Sequence, residues 1–176
     1  INLIANADYT YYSGDYTIIY DISGDNTISI KKCSGNGETF YIPDTIDGIP
    51  VTEIQPSAFV TCTNIRTIKI SNENQYFSVR DNMLMNHSGN TLIKYTGADN
   101  KPEIPYGIET IRSHAFFGSQ AEYIEIPETV SYIDDYAFVG CTYLKSIEIP
   151  ERVEYIGKGC FFSCPYLNSV VLPQGI

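Results

Sequence analysis

The sequence of 176 residues lacks Trp, contains only two Met, and has no apolar run near the ~20 residues that a membrane-spanning helix needs. We therefore expect no membrane insertion of this segment. Basic residues are also scarce, because 11 Lys and Arg stand against 21 Asp and Glu and the formal net charge is −10. Nucleic acids and anionic membranes are held through basic patches, so this balance argues against nucleic acid as a partner.

The motifs of the common enzyme classes are missing as well. The sequence has no G-x-S-x-G, no H-E-x-x-H, no glycine-rich phosphate loop and no dinucleotide fingerprint. Ser113 and His114 are neighbours in the chain, but adjacent side chains usually point apart and do not make a catalytic triad. A glycosidase-like pair of carboxylates stays open, although such a pair needs a deep cleft and one raised pKa. We predict that the protein is not an enzyme and has no cofactor.

The five cysteines are an odd number, whereas a secreted disulfide scaffold usually has an even number in a shorter chain. Cys62, Cys141 and Cys164 each follow a phenylalanine by three residues. A recurring position of this kind predicts small, buried, structural side chains, since free cysteine is often buried. Cys160 and Cys164 are spaced like a short metal-binding pair, but zinc needs four ligands, and we predict no metal site.

A repeat of 22 or 23 residues is the main signal, as the spacing of Ile104, Ile126, Ile149 and Leu172 shows. Each copy reads approximately I-P-x-x-V-x-x-I-x-x-x-A-F-x-x-C-x-x-L-x-x-I-x-I, and a fourth, stretched copy begins at Ile42. The alternating L-x-x-I-x-I phrase predicts a short strand, which the following Pro ends because it supplies no N–H to the ladder. V-x-x-I indicates a second extended piece, and Ala-Phe a tight turn or a single helical turn. Because one copy cannot bury its apolar side alone, we expect stacked copies in which each coil adds a strand to a parallel sheet.

At these residues the chain resembles the BspA-type leucine-rich repeat family, over about 42–72 and 104–176. The resemblance includes an I-P-x-x-I-x-G-x-P-V phrase at 42–51 and an interruption around 76–95, both of a kind that family members carry. It implies a right-handed leucine-rich-repeat solenoid, secretion or surface display in bacteria, and binding of proteins or adhesion to cells. It brings no catalytic residues. The predicted fold is thus a mostly β, α/β-type repeat with a parallel sheet, a few short helical turns, a β-rich N-terminal cap and an inserted hairpin.

The N-terminal residues 1–41 lie outside the repeat and are rich in Tyr, Thr and Ile. Residues 16–20 and 27–30 predict two strands joined by a turn at 23–26. The end coil of a solenoid has an unpaired edge, so we predict that 1–41 caps the solenoid 42–176.

Residues 73–103 interrupt the repeat. Apolar runs at 83–85 and 92–95 predict a β-hairpin around a turn at 86–90. This hairpin is either a binding appendage or an insertion that extends the sheet, and the sequence leaves both interpretations open.

The candidate binding surface consists of outward positions on the predicted strands. Side chains alternate along a strand, so outward residues of successive coils line up. We predict a shallow, mixed-charge concave stripe formed by Arg66, Lys69, Tyr123, Glu125, Lys145 and Glu148. Tyr123 is its expected anchor, because Tyr is enriched at interfaces. Tyr132, Tyr136 and Tyr155 on the other face are open to a second interpretation, packing on neighbouring coils.

The predicted function is that of a non-enzymatic extracellular protein-binding or adhesion module, secreted or at the cell surface. The expected partner is an extracellular or host-surface protein, with carbohydrate as an alternative ligand. Two other functions stay open: a structural spacer in a longer surface protein, and an accessory module of a carbohydrate-active or hydrolytic enzyme. A featureless stripe would favour the spacer, and a convergent pocket with a buried carboxylate or His would favour the enzyme module.

Overall fold

The computed structural model describes residues 8–176, so the first seven residues of the predicted cap lie outside the described part. Described in chain order, the strands are β1 Tyr9–Ser13, β2 Tyr16–Ile22, β3 Ile28–Gly35, β4 Thr39–Tyr41, β5 Thr45–Ile46, β6 Ile49–Ile54, β7 Thr67–Lys69, β8 Phe77–Arg80, β9 Met83–Asn86, β10 Thr91–Tyr95, β11 Thr110–Ile111, β12 Tyr123–Ile124, β13 Tyr132–Ile133, β14 Ser146–Glu148, β15 Tyr155–Ile156 and β16 Ser169–Val171. No helix occurs within residues 8–176, and so none there has the length and hydrophobicity of a membrane span.

Two rows of parallel strands run along the repeat. The V-x-x-I segments form one row, in which β11, β13 and β15 pair in register. The L-x-x-I-x-I segments form the other row, in which β12, β14 and β16 pair in register and Glu103 bridges to Glu125. Nearer the N-terminus β4 and β7 pair in the same parallel way in a separate two-stranded sheet. The outward-facing residues of the L-x-x-I-x-I strands, β4 and β7 included, are called the LxxIxI face below.

Phenylalanines at equivalent repeat positions stack on one another. The ring centroids of Phe116 and Phe138 are 5.1 Å apart, and those of Phe138 and Phe161 are 5.6 Å apart. Phe116 and Phe138 are fully buried. The predicted stacking of copies, Phe on Phe, is therefore confirmed.

The Ala-Phe segments form tight turns, one of the two conformations that the sequence predicts. Val139 N–H donates to the Tyr136 carbonyl at 3.1 Å and Cys141 N–H donates to the Phe138 carbonyl at 3.3 Å. These bonds span three residues each, and the left-handed φ of 57° at Tyr136 prevents a continuous helix. The helical turns that we expected are thus non-helical turns in the described chain.

The N-terminal segment joins the repeat through its third strand. β1, β2 and β3 are antiparallel, with the predicted turn closed by Asn26 N–H donating to the Ser23 carbonyl at 3.0 Å. β3 then pairs in parallel with β6, where Ile30 lies opposite Ile54. The lead-in strands therefore continue the hydrogen bonding of the first coil.

The interruption lies between two hydrophobic cores. Strands β9 and β10 form the predicted hairpin, β8 pairs with β9, and β10 pairs in parallel with β11. The C-terminal core, which contains Phe116 and Phe138, also includes Met83 and Leu92. The N-terminal core, which contains Phe40 and Phe59, also includes Leu84 and Ile93. Because both faces of the hairpin are buried, it extends the sheet and is not an exposed appendage.

Cys62 is buried as predicted, but the prediction that it is a free thiol was wrong. Cys62 forms a disulfide with Cys33, with 6.3 Å between the Cα atoms. Cys33 N–H donates to the Ala58 carbonyl at 2.7 Å, just as Phe116 N–H donates to the Ala137 carbonyl at 2.8 Å. Cys33 therefore occupies, one coil earlier, the place that Phe takes in later coils, and its sulfur meets Cys62.

The remaining cysteines are thiols, namely Cys141 and Cys160, which are buried, and Cys164, which is half-buried. Burial was predicted for this repeat position, and it is complete at Cys141 but only partial at Cys164.

Candidate binding surface

The LxxIxI face is built by the alternation of inward and outward side chains. In β14, Ile147 is buried while Ser146 and Glu148 face outward. Parallel pairing places Tyr123 beside Ser146 and Ser169 on successive coils. Adjacent strands in a sheet are about 4.8 Å apart, so outward side chains form rows along the solenoid.

Ion pairs link neighbouring coils on this face. Lys145 Nζ lies 2.5 Å from a Glu122 carboxylate oxygen, and Lys101 Nζ lies 2.7 Å from a Glu125 carboxylate oxygen. The hydrogen bond with Glu122 raises the pKa of Lys145, and the one with Glu125 raises the pKa of Lys101. Lys145 Nζ also lies 5.9 Å from the centroid of the Tyr123 ring. The Tyr123 ring is 42% exposed, so it is in contact with a cation while it also faces solvent.

An open groove of about 390 Å³ runs beside Tyr123, and its outward lining includes Lys101, Glu125, Ser146 and Glu148. Glu103 bridges to Glu125, and the same position on the next coil is Glu148. Three carboxylates therefore follow one another along a single row, and Lys101 pairs with the middle one. The groove combines an exposed aromatic ring with a net negative charge.

The six predicted stripe residues fall into two groups. Tyr123, Glu125, Lys145 and Glu148 lie together on or beside the three-stranded sheet of β12, β14 and β16. Lys69 belongs instead to the two-stranded sheet of β4 and β7, and Arg66 directly precedes β7. Lys69 Nζ lies 5.6 Å from the centroid of the Tyr41 ring. The predicted mixed stripe is thus basic on its N-terminal sheet and mainly acidic on its C-terminal sheet.

Sequence reasoning missed Lys101 on this surface. Lys101 lies in the segment 73–103 that we treated as an interruption, yet it occupies the row of Tyr123. The signal was present, because Lys101-Pro102-Glu103-Ile104 has the spacing of Tyr123-Ile124-Glu125-Ile126.

The tyrosines on the V-x-x-I row pack on neighbouring coils, which is the second interpretation given above. Tyr132 and Tyr155 stack with ring centroids 4.5 Å apart and planes 12° apart. Tyr136 stacks on His114 at 5.6 Å. Each of these tyrosine rings therefore has one face covered by a ring of the neighbouring coil.

Ser113 and His114 do contact each other, contrary to the sequence-based expectation. Ser113 Oγ and His114 Nδ1 are hydrogen-bonded at 2.8 Å, and His114 has a left-handed φ of 61° that turns the backbone between them. Burial lowers the pKa of His114, with a smaller effect of Lys94 in the same direction. Ser113 is buried, and neither residue lines the open groove. The pair therefore contributes to the turn and offers no accessible nucleophile.

A small crevice of about 50 Å³ lies where the two halves of the molecule meet, and Arg66, Lys94 and Phe117 help to line it. The Lys94 ammonium donates to the Phe117 carbonyl at 3.0 Å and lies 5.8 Å from that ring's centroid. Burial lowers the pKa of Lys94 to about 8. The crevice is far smaller than the ~300–1,000 Å³ of ordinary small-molecule sites.

Comparison with known proteins supplies the family context. The model of the BspA type leucine rich repeat region matches six copies, over residues 32–97 and 86–176. The match runs through the segment 73–103, and it is to a repeat region, not to a catalytic family. No curated protein matches the sequence significantly.

Solved structures of bacterial leucine-rich repeat proteins share the fold. The pneumococcal vaccine antigen PcpA aligns with a TM-score of 0.62 at 20% identity, over 79% of this chain and 40% of its own. A leucine rich cell surface protein of Faecalibacterium prausnitzii aligns with a TM-score of 0.57 at 17% identity, over 97% of this chain and 84% of its own. A leucine-rich repeat protein of Eubacterium ventriosum aligns with a TM-score of 0.52 at 19% identity, over 77% and 49%. The chain thus spans less than half of the length of PcpA and of the E. ventriosum protein.

Proposed function

Because the chain belongs to the BspA-type leucine-rich repeat family, we propose that it is a non-enzymatic protein-binding or adhesion module, secreted or displayed at a bacterial surface. Its partner is an extracellular or host-surface protein. The cell-surface description of the F. prausnitzii neighbour supports this location.

The observation that carries the proposal is the arrangement around Tyr123. A half-exposed aromatic ring lies beside an open groove, and solvent-exposed ion pairs join charged side chains around it. Interfaces are enriched in Tyr at their centre, and charged groups around such a centre select the partner by complementarity. The acidic row of Glu103, Glu125 and Glu148 favours a partner surface that presents Lys or Arg.

The test is a pull-down of extracellular-matrix and host-surface proteins with the wild-type chain and a Tyr123→Ala, Glu125→Lys double variant. We expect the double variant to lose the captured partner, because it removes the anchor and reverses one charge. If affinity for that partner is unchanged, the LxxIxI face is not the binding surface.

A matched control is Tyr155→Ala with Glu154→Lys on the V-x-x-I row. Tyr155 is 41% exposed, against 42% for Tyr123, and Glu154 is also exposed. The control makes the same chemical changes elsewhere, so it should retain binding. Capture that is lost equally in both variants would point to net charge and not to a defined site.

A further inference from the structure

Two thiols occupy the same repeat position on adjacent coils. Cys141 and Cys164 each follow a stacked phenylalanine by three residues, and the rings of those phenylalanines lie 5.6 Å apart. Beyond the thiols, the two coils stay in register, with Ile147 opposite Val170. Coils stacked at about 4.8 Å place such Cα atoms within the ~4.4–6.8 Å that disulfides span.

The side chains of both cysteines point in the same direction. Cys141 Sγ lies 3.2 Å from the Phe116 carbonyl oxygen, and Cys164 Sγ lies 3.2 Å from the Phe138 carbonyl oxygen. Each thiol lies within hydrogen-bonding distance of a carbonyl oxygen of the preceding coil. The two sulfur atoms are therefore neighbours in a ladder.

The two thiols differ in accessibility. Cys141 is fully buried, while Cys164 is half-buried. The hydrogen bond from Cys141 lowers the pKa of Cys164, so Cys164 has the greater thiolate fraction. Cys160, in the same coil, is buried and has its pKa raised to about 12, mainly by burial. Cys164 is thus the thiol suited to attack a reagent from solvent.

We propose that Cys141 and Cys164 are a site of covalent modification, at which thiol–disulfide exchange with a small-molecule disulfide forms a bond between their two coils. The Cys164 thiolate attacks the small disulfide, which forms a mixed disulfide and releases one small thiolate. Cys141 then loses its proton and attacks the Cys164 sulfur, which releases the second small thiolate. Two protein thiols are oxidised to one disulfide, and one small disulfide is reduced to two thiols.

The other end of the molecule contains a related link between adjacent coils, in which the partner sulfur stands at the phenylalanine position of its coil. Cys62 occupies the repeat position of Cys141 and Cys164, and it is bonded to Cys33 of the preceding coil. The cysteine position of this repeat is therefore one from which a sulfur reaches the neighbouring coil. This inference does not depend on the proposed binding function.

The experiment uses the whole chain, first reduced and then equilibrated with glutathione disulfide, followed by peptide mapping by mass spectrometry without reduction. We expect a peptide pair joined through Cys141 and Cys164. We also expect a melting temperature roughly 6–12 °C above that of the chain in which only the Cys33–Cys62 bond has formed, since a second disulfide closes a further loop. Cys160→Ala is the matched control and should form the same linked pair.

Three outcomes would overturn the proposal. One is that Cys141 and Cys164 stay reduced while the Cys33–Cys62 bond forms in the same sample. The second is a bond between Cys160 and Cys164, and the third is a Cys164 that stops at the glutathione adduct. All three are read on the wild-type chain, so none depends on whether a variant folds.

Discussion

The two halves of the molecule bury their aromatic rings in different ways. In the C-terminal half, Phe116, Phe138 and Phe161 stack with planes 24° and 9° apart. In the N-terminal half, Tyr16, Phe40 and Phe59 meet edge to face, with planes 83° and 88° apart. A regular repeat buries each ring against a copy of itself, whereas an irregular region needs a different partner for each ring.

The covalent chemistry differs in the same way. The N-terminal half has antiparallel strands and a disulfide, whereas the C-terminal half has in-register parallel strands and free thiols. The hairpin of β9 and β10 lies between the two cores and contributes side chains to both. We expect the two cores to respond separately to substitutions that affect only one of them, and the following predictions test this.

The largest effect is expected for Phe138→Ala in the C-terminal core. Phe138 is fully buried with a ring on each side, so its removal should lower the free energy of unfolding by roughly 3–5 kcal/mol. Chemical denaturation measures the size of the loss in stability. Amide hydrogen exchange on the native chain shows which coils lose protection. Phe161→Ala, at the half-buried end of the stack, should cost less, and an equal cost would contradict the idea that each ring depends on two neighbours.

Loss of the disulfide should affect the other core. Cys62→Ser opens a loop of sequence separation 29, so the free energy of unfolding should fall by about 2–4 kcal/mol. Amide hydrogen exchange should become faster in β2, β3 and β6, while the backbone amides of the coils around Phe138 keep their wild-type protection. Faster exchange in both halves would mean that the hairpin couples the cores into one cooperative unit.

Lys94→Met should stabilise the protein where the two halves meet. Burial lowers the pKa of Lys94 from 10.5 to about 8, so the folded chain holds its proton less tightly than the unfolded chain does. This destabilisation is fully present below pH 8 and disappears as the pH rises towards 10.5. The variant should therefore gain about 2 kcal/mol at neutral pH, after the loss of one hydrogen bond, and the gain should shrink between pH 8 and 10.

The control for this effect is Lys158→Met, because Lys158 is exposed. That variant should show no comparable gain in stability. A gain at Lys94 that does not change with pH would indicate better packing of Met, and not the removal of a buried charge.

The regular half was largely predictable from the sequence, and the irregular half was not. Repeat spacing alone places Phe116, Phe138 and Phe161 on one another, because each coil copies the last. The disulfide partner of Cys62 was missed, since Cys33 lies before the first recognisable copy and no local pattern assigns it a place in a coil. The position of the hairpin stayed open between a binding appendage and an extension of the sheet, although Met83-Leu84-Met85 lacks the polar alternation of a strand with one face in water.

The smallest effect is expected for Lys145→Ala, on the exposed face of the regular half. Lys145 makes an ion pair like that of many surface lysines, and water and salt screen it, so the melting temperature should not change measurably. Lys145 and Lys94 each lie over an aromatic ring, Tyr123 and Phe117 respectively. If the two substitutions nevertheless changed stability by similar amounts, burial would not be what separates them. If only Lys94→Met has an effect, then Lys145 and Glu122 can change with a binding partner at little cost to folding, as a recognition surface requires.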